Sequence, residues 1–288
     1  MSWYPGHMAR AMRLLRQRMR LVDVVLEVAD ARAPAASRNP LLVELVEARP
    51  RLLVLARSDL ADPASTGGWV AHLATRGEEA VAVDVRTGRG LEGVRAWLEG
   101  RRGKLAHRSW HRPLRLVVVG VSNVGKSSLL NRLTGQRVAR TGALPGVTRG
   151  EQWVRVADGP GGGVEALDLP GLLPPRPEPE VATTLVAIGV LPWGQVPYPR
   201  VISCLLEALP QRGRLALRER YGVEWGAAEE ALAAIARRRG FLGAGGAPDP
   251  ERAARALLAD FQAGRLGRIT LERAPGPEGT GEVCRGGS

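Results

Sequence analysis

The residues with the clearest chemistry lie in the segment LRLVVVGVSNVGKSSLL, from Leu114 to Leu130. After a short apolar run, this segment completes the pattern G-x-x-x-x-G-K-[ST] with Gly120, Gly125, Lys126 and Ser127. Small residues let backbone N–H groups converge on phosphate oxygens, and the N-terminus of a following helix adds its positive field. The lysine reaches the β- and γ-phosphates, and the serine hydroxyl ligates Mg²⁺. The segment therefore predicts a phosphate-binding loop between a strand and a helix.

Three further residues have the types that a nucleotide-dependent switch requires. Asp168 follows an apolar run and precedes Gly171 by three positions, which provides a carboxylate for the Mg²⁺ water shell and a glycine that can turn toward a γ-phosphate. Thr148 lies in a loop with glycines and a proline, and its hydroxyl can ligate Mg²⁺ when a γ-phosphate draws the loop inward. Asp59 follows another apolar run, and its carboxylate can accept hydrogen bonds from N1–H and the 2-amino group of guanine. Adenine lacks this donor pair, so Asp59 predicts a preference for GTP over ATP.

Apolar runs and helical patterns indicate the elements that position these residues. Strands are predicted at residues 22–29, 52–55, 80–85 and 116–119, followed by a hairpin at 152–156 and 164–167. Helices are predicted within residues 8–20, 40–48 and 91–98, and from the phosphate loop to about residue 133. Because strands that alternate with helices form βαβ units, the expected fold is α/β with a parallel sheet.

A proline-rich segment, PPRPEP at residues 174–179, is the expected linker between two domains, because such segments are stiff and extended. Residues 1–173 are predicted to form the nucleotide-binding domain. Residues 180–273 are predicted to form a small all-α domain with helices at 180–189, 200–209, 213–221, 227–239 and 249–262. Gly264 is expected to end the last helix, and residues 274–288 are expected to form a disordered, glycine-rich tail.

The chain is strongly basic, with 41 Lys and Arg residues against 29 Asp and Glu and a net charge of +12. Such a surface concentrates polyanions and favours a nucleic-acid partner, although compositional bias toward arginine explains part of the charge. In the basic helix at 8–20, the arginine face is open to three interpretations: solvated while the helix docks on the core, in contact with RNA, or at a membrane surface. The connector at 101–113, with Trp110, is interpreted as a solvated linker in preference to a nucleic-acid contact.

The cysteines and the apolar segments argue against several classes of protein. Cys204 and Cys284 do not have the spacing of a metal site and are not interpreted as a disulfide. The N-terminus lacks the apolar core of a signal sequence, and the apolar stretch at 181–190 is well short of the roughly 18 residues of a membrane span. A soluble cytoplasmic protein is expected.

The motifs resemble those of translation-factor-type GTPases, but in a rotated order. The DLPG segment that ends at Gly171 resembles D-x-x-G, Thr148 resembles the switch threonine, and ARSD at residues 56–59 resembles a degraded N-K-x-D. The segment DVR at residues 84–86 occupies the place of S-A-K. The base-binding elements thus precede the phosphate loop, which is typical of circularly permuted GTPases.

Longer segments resemble the bacterial ribosome-biogenesis GTPase A family (YlqF/RbgA type). They extend to about residue 273 and comprise WYPGHM, DVVLEVADARAP, GVSNVGKSSLLN, PGVTR, LRERYGV, RRRGFLGAGG and ADFQAGRLGRITLE. The resemblance implies a P-loop NTPase sheet with circularly permuted GTPase motifs and a slow, Mg²⁺-dependent GTP hydrolysis that the ribosomal subunit stimulates. It implies action on the large (50S) subunit late in assembly, with the helical domain in contact with rRNA. We expect a monomer without a DNA or membrane partner.

The phosphate-loop pattern and the resemblance together assign the site residues. GTP or GDP is expected to bind Arg57, Asp59, Asp84, Val85, Asn123, Val124, Gly125, Lys126, Ser127, Ser128, Thr148 and Gly171, and Mg²⁺ to bind Ser127, Thr148 and Asp168. Catalysis is assigned to His7 of the PGHM segment, Lys126, Thr148 and Gly171. Asn123 matches the phosphate-loop asparagine of potassium-stimulated GTPases, in which K⁺ stands in for an arginine finger; a loop-stabilising asparagine is the alternative.

Three positions depart from the family pattern. Ala56 replaces the asparagine that braces the base loop and touches guanine, and Arg57 replaces the lysine, although its stem can still lie along the base. Leu172 stands where many GTPases have the glutamine that orients the attacking water. His7 is the expected substitute, with capping or packing of the N-terminal segment as the alternative. Two other functions therefore remain open: an ATP-using relative, and a non-catalytic RNA-binding checkpoint protein that senses nucleotide.

Overall fold

Six strands form one sheet, and helices connect most of them. The computed structural model describes residues 6–46, 48–106, 112–136, 153–157, 163–168, 171–173, 176–223 and 227–275, with the backbone alone at 6–11, 105–106 and 168. The strands are β1 (Val24–Asp30), β2 (Arg51–Ala56), β3 (Glu79–Val83), β4 (Leu114–Val119), β5 (Trp153–Ala157) and β6 (Val164–Asp168). Their order is β3-β2-β1-β4-β6-β5, and all neighbours are parallel except the antiparallel pair β5 and β6. The predicted α/β fold and its hairpin are confirmed.

Five helices accompany these strands in the chain: α1 (Gly6–Arg18), α2 (Pro40–Val46), α3 (Pro63–Thr75), α4 (Leu91–Ala106) and α5 (Lys126–Thr134). The apolar face of α1 and the turn after it bury Met12, Leu15 and Met19 in a cluster that also contains residues of β1 and β4. Arg13 and Arg16 on α1 are exposed. The N-terminal helix is therefore docked by its apolar face, and the role of its exposed arginine face stays a prediction.

Helix α3 was not among the elements predicted from the sequence. Its two adjacent glycines, Gly67 and Gly68, lower helix propensity and obscure the pattern. Its start nevertheless carries a helix signal, because Pro63 occupies the first helical position and the preceding Asp62 carboxylate accepts a hydrogen bond from Ser65 N at 2.7 Å. Packing and this cap together favour the helix over a loop.

The C-terminal region is helical as predicted. It contains α6 (Pro179–Ala187), α7 (Tyr198–Ala208), α8 (Gln211–Tyr221), α9 (Ala228–Arg239) and α10 (Pro250–Gln262). Gly264 follows α10 with a φ of 73°, and its N–H donates to Phe261 O at 2.9 Å, so the predicted glycine stop is confirmed. Among the described residues, the helices are too short or too polar to span a bilayer.

Contacts divide the chain into two compact units, residues 1–58 with 70–176 and residues 59–69 with 177–288. The break between residues 176 and 177 lies within the predicted linker. The membership of 59–69 in the second unit differs from the predicted division, which placed these residues in a continuous domain 1–173.

Hydrogen bonds explain why residues 59–69 belong to the second unit. Leu60 O accepts a hydrogen bond from Ile269 N at 3.0 Å, and the indole N–H of Trp69 donates to Glu272 O at 3.1 Å. Trp69 and Ile269 are both buried. These contacts join residues about two hundred positions apart, which no local sequence pattern could indicate.

Candidate nucleotide-binding site

The phosphate loop connects the buried strand β4 to helix α5. Gly120 has a φ of 149°, and a Cβ at this position would lie 2.3 Å from Val28 O, so the neighbouring strand β1 leaves room only for glycine. Gly125, with a φ of 106°, directly precedes the helix that begins at Lys126. Lys126 is buried, and its Nζ donates to Val121 O at 2.7 Å. The lysine thus lies folded over its own loop, where a phosphate would bind.

Gly171, the glycine of the DLPG segment, lies directly against this loop. A Cβ on Gly171 would be 2.5 Å from Ser122 Cα and 2.8 Å from Lys126 Nζ. The next residue is fixed by two hydrogen bonds, because Leu172 N donates to Gly120 O at 3.2 Å and Asn39 Nδ2 donates to Leu172 O at 3.0 Å. The structure therefore brings Gly171 and Lys126 together, as the sequence predicts for a γ-phosphate sensor beside a phosphate loop.

The side chain of Leu172 faces away from solvent. It is 2% exposed and packs in the same cluster as Met12 and Leu15 of α1. A side chain in this position cannot orient an attacking water. His7 lies on α1 five residues before Met12, which corresponds to about 7.5 Å along a helix. The element that carries His7 is therefore anchored beside Leu172; its side chain lies outside the described part of the structure.

The first base-binding loop follows β2. Arg57 has a left-handed backbone, with a φ of 58°. Its Nη2 donates to Asn123 O in the phosphate loop at 2.5 Å, and its Nη1 donates to Asp30 Oδ2 at 3.1 Å. Ala56, just before it, is buried. The guanidinium of Arg57 thus connects the base loop with the phosphate loop, a contact that the sequence did not indicate.

Asp59 lies three residues beyond the end of β2, in the segment that belongs to the second unit. It remains the predicted guanine-binding carboxylate. Thr148 and the rest of residues 137–152 lie outside the described residues, as do Trp110 and the tail from residue 276.

The second base-binding loop is organised by Asp84. The Asp84 carboxylate accepts hydrogen bonds from Arg86 N at 2.9 Å, Thr87 N at 3.2 Å and Thr87 Oγ1 at 2.5 Å. Burial alone raises the pKa of the Asp84 carboxyl, but the hydrogen bonds from Thr87 and Arg86 outweigh it and hold the pKa below its ordinary value. Asp84 therefore shapes this loop through its side chain, and Val85 remains a predicted contact of the nucleotide. Val85 and Ser128 line a common cavity of about 540 Å³.

Two of the three residues predicted to hold Mg²⁺ belong to the described part of the chain, in the helix after β4 and at the end of the neighbouring strand β6. Ser127 is in the first turn of α5, and Asp168, the last residue of β6, pairs in register with Val118 of β4. A hydroxyl and a carboxylate at these ends are oxygen ligands of the kind that Mg²⁺ prefers. In the described part of the chain, no cluster of three or more His, Cys, Asp and Glu side chains suggests another metal site.

Sequence reasoning missed residues that support the site without touching a phosphate. Asp30, the last residue of β1, and Arg32, two positions later, are fully buried, and Asn39 holds the segment after Gly171. The signal was present for Asp30 and Arg32, because charged residues two positions apart at the end of an apolar strand have to be paired if they are buried.

Comparisons with known proteins agree with this geometry. Residues 115–189 match the sequence family described as 50S ribosome-binding GTPase. The chain is 34% identical to Ribosome biogenesis GTPase A of Bacillus cereus, over 98% of this chain and 95% of that protein. It is also 34% identical to Ribosome biogenesis GTPase A of Thermotoga maritima, over 95% of this chain and 94% of that protein.

Two solved structures are similar along most of the chain. GNP-bound YlqF of T. maritima has a TM-score of 0.67 and 28% identity, and the match covers 92% of this chain and 98% of that one. The GDP-bound structure of YlqF has a TM-score of 0.67 and 27% identity, covering 93% of this chain and 100% of that one.

Proposed function

The chain belongs to the ribosome biogenesis GTPase A family, and from that premise we propose that it binds the large ribosomal subunit late in assembly and dissociates when its nucleotide is hydrolysed. It is a GTP hydrolase that binds guanine nucleotides. The observation that supports the proposal most is the contact of Gly171 with the phosphate loop. A phosphate bound at Lys126 adjoins Gly171, so nucleotide state can change the segment that leads into the helical region.

Nucleotide binding redirects Lys126. Its Nζ donates to a neutral carbonyl, Val121 O, and phosphate oxygens are stronger acceptors because they are charged. The ammonium needs only a small movement to contact the β- and γ-phosphates. Backbone N–H groups from Asn123 to Ser128 bind the remaining oxygens, Asp59 accepts hydrogen bonds from guanine, and Val85 borders the base.

Ser127, Thr148 and Asp168 would hold Mg²⁺ in this site. When bound, the ion neutralises charge on the β- and γ-phosphates. His7 positions the attacking water in place of Leu172, which is buried in the core. K⁺ at Asn123 stays a prediction from the resemblance.

The proposed rRNA-binding surface lies on the helical unit. Arg212 on α8 and Arg237 on α9 are exposed. After α9, residues 243–247 form an exposed glycine-rich loop closed by the bridge between Leu242 and Pro248. Exposed arginines neutralise phosphates, and glycine backbones allow a close approach of the RNA chain.

Co-sedimentation of the full chain with purified large subunits tests this function. We expect tight binding with a non-hydrolysable GTP analogue and weak binding with GDP. Equal binding in both nucleotide states would contradict the coupling of nucleotide hydrolysis to release.

A matched pair of variants tests the surface. Arg212→Ser with Arg237→Ser removes two exposed charges from the helical unit, whereas Arg76→Ser with Lys104→Ser removes two exposed charges from the first unit. If both arginines of the first pair contact phosphates, the loss of affinity between about 50 and 200 mM salt becomes about tenfold smaller. The control pair keeps the parental salt dependence. Identical salt dependence for both pairs would show that this surface is not the RNA contact.

A further inference from the structure

The carboxylate of Asp30 is fully buried at the end of β1 and holds two arginines. Oδ1 accepts hydrogen bonds from Arg32 N at 3.0 Å and Arg32 Nε at 2.9 Å. Oδ2 accepts from Arg32 Nη2 at 2.8 Å and from Arg57 Nη1 at 3.1 Å. The side chains of Asp30 and Arg32 are both 0% exposed, whereas that of Arg57 is 34% exposed. Arg32 therefore fixes the carboxylate inside the fold, and the carboxylate in turn holds one arm of Arg57.

The other arm of Arg57 reaches the phosphate loop. Its Nη2 donates to Asn123 O at 2.5 Å, and both residues have left-handed backbones, with φ values of 58° and 61°. A left-handed backbone is uncommon for arginine, whereas asparagine adopts it more readily. Arg57 is thus held on both sides, by the buried carboxylate and by the loop that binds phosphate.

This arrangement lies where the chain departs from the family pattern. Ala56 stands at the position where the N-K-x-D pattern has asparagine, and its Cβ is 3.6 Å from where a Cβ of Gly125 would be. A methyl group fills this space but cannot donate or accept a hydrogen bond. We propose that Asp30 is a positioning residue whose pairing with Arg57 replaces the missing asparagine as the brace between the base loop and the phosphate loop. The inference rests on the nucleotide site proposed above.

Asp30, Arg32 and Arg57 together carry a net positive charge beside the phosphate loop. Burial raises the pKa of Asp30, but the charge and hydrogen bonds of Arg32, followed by the charge of Arg57, outweigh it, and the net pKa is lowered. Asp30 is therefore ionised at neutral pH. One carboxylate shared by two guanidinium groups leaves a net charge of +1 beside the phosphate loop, which favours an anionic ligand.

The brace requires arginine rather than lysine. A guanidinium presents several donors in a planar fork, so it can bind a carboxylate and a carbonyl at the same time in fixed directions. An ammonium at the end of a flexible stem holds these two acceptors less rigidly. The brace between the two loops therefore depends on an arginine at position 57.

Calorimetric titration of the full chain with GDP tests the brace. Arg57→Met keeps an apolar stem without donors and is expected to weaken GDP binding about 10- to 100-fold, the range for loss of a charged hydrogen bond. Arg57→Lys is expected to be intermediate, and Ala56→Asn in the Arg57→Met background should recover part of the affinity. The control is Arg76→Met, an exposed arginine that follows α3 and lies outside both base loops, which should bind GDP like the parent. Parental affinity in Arg57→Met would overturn the proposal.

A second set of variants tests whether Asp30 acts through Arg57. Asp30→Asn should weaken GDP binding in the parent but cause no additional loss in the Arg57→Met background. A general structural role would instead reduce affinity equally in both backgrounds, which would overturn the positioning role. Asp30→Asn with Arg32→Gln removes both buried charges together, so the same comparison can be made without an unpaired buried arginine if the single variant does not fold.

Different results would contradict the proposed nucleotide site and the proposed brace. If Lys126→Ala and Asp59→Asn both keep parental GDP affinity, the proposed site itself is wrong. If these two variants lose affinity while Arg57→Met does not, the site stands and the brace is wrong.

Discussion

Gly171→Ala should destabilise the nucleotide-binding unit, whereas the same substitution at an open helical position should stabilise it. The added Cβ would lie 2.5 Å from Ser122 Cα, 2.7 Å from Ser122 N and 2.8 Å from Lys126 Nζ. Carbon atoms in favourable contact are about 3.5–4.0 Å apart, so the closest approach is roughly 1 Å too short. Lys126 can swing aside because its ammonium ends a flexible chain. The backbone of Ser122 cannot, since it forms the phosphate loop.

The expected cost follows from this overlap. Overpacking of a well-packed position costs about 1–3 kcal/mol. For a chain of this size, that loss lowers the midpoint of thermal unfolding by about 3–10 °C. Gly103, on the exposed side of α4, would meet no atom within 4 Å on gaining a Cβ. Gly103→Ala removes a helix-breaking residue and should raise stability by up to about 1 kcal/mol.

Thermal unfolding of the two variants without nucleotide measures this difference directly. We expect the midpoint of thermal unfolding to fall in Gly171→Ala and to stay the same or rise in Gly103→Ala. An unchanged or higher midpoint for Gly171→Ala would show that the DLPG segment does not contact the phosphate loop as described. Displacement of Lys126 Nζ should also slow phosphate release from GTP in Gly171→Ala.

Three further predictions concern the core, catalysis and pH. Leu172→Ala should cost about 2–5 kcal/mol in chemical unfolding, because its side chain is 2% exposed, and a cost below 1 kcal/mol would contradict its burial. His7→Ala should abolish subunit-stimulated phosphate release with unchanged GDP affinity; full stimulation would remove His7 from catalysis. Burial and the neighbouring Asp260 raise the pKa of Tyr221 from 10.0 to about 12, which favours the protonated phenol in the fold. The raised pKa therefore adds to the free energy of unfolding below pH 10, and this contribution is lost as the pH rises through 12. When unfolding is measured across that range, Tyr221→Phe should not show this loss.

The strongest sequence signals concerned segments whose structure is decided locally. The β-branched run before Gly120 and the glycines after it predicted a strand, a loop and a helix, and all three are present. The hairpin of β5 and β6 was predictable for the same reason, since both strands are short and separated by a glycine-rich turn. Helix α3 was missed because two glycines outweighed the cap at Asp62 and Pro63.

The missed parts of the site depend on contacts between distant residues. The sequence indicated that Ala56 cannot brace the base loop, but not that Arg57 reaches Asp30 and Asn123 instead. Long side chains have many rotamers, and only the folded sheet selects the one that joins these three residues. The membership of residues 59–69 in the second unit was missed for a similar reason. These residues form hydrogen bonds with residues 268–272, about two hundred positions later in the chain.

Phosphate release from GTP and from ATP, each measured with and without purified large ribosomal subunits, tests whether the protein is a GTPase that large subunits stimulate. The account predicts slow release from GTP alone, clear stimulation by large subunits, and little release from ATP under either condition. Equal turnover of ATP, or GTP turnover that large subunits do not change, would contradict it.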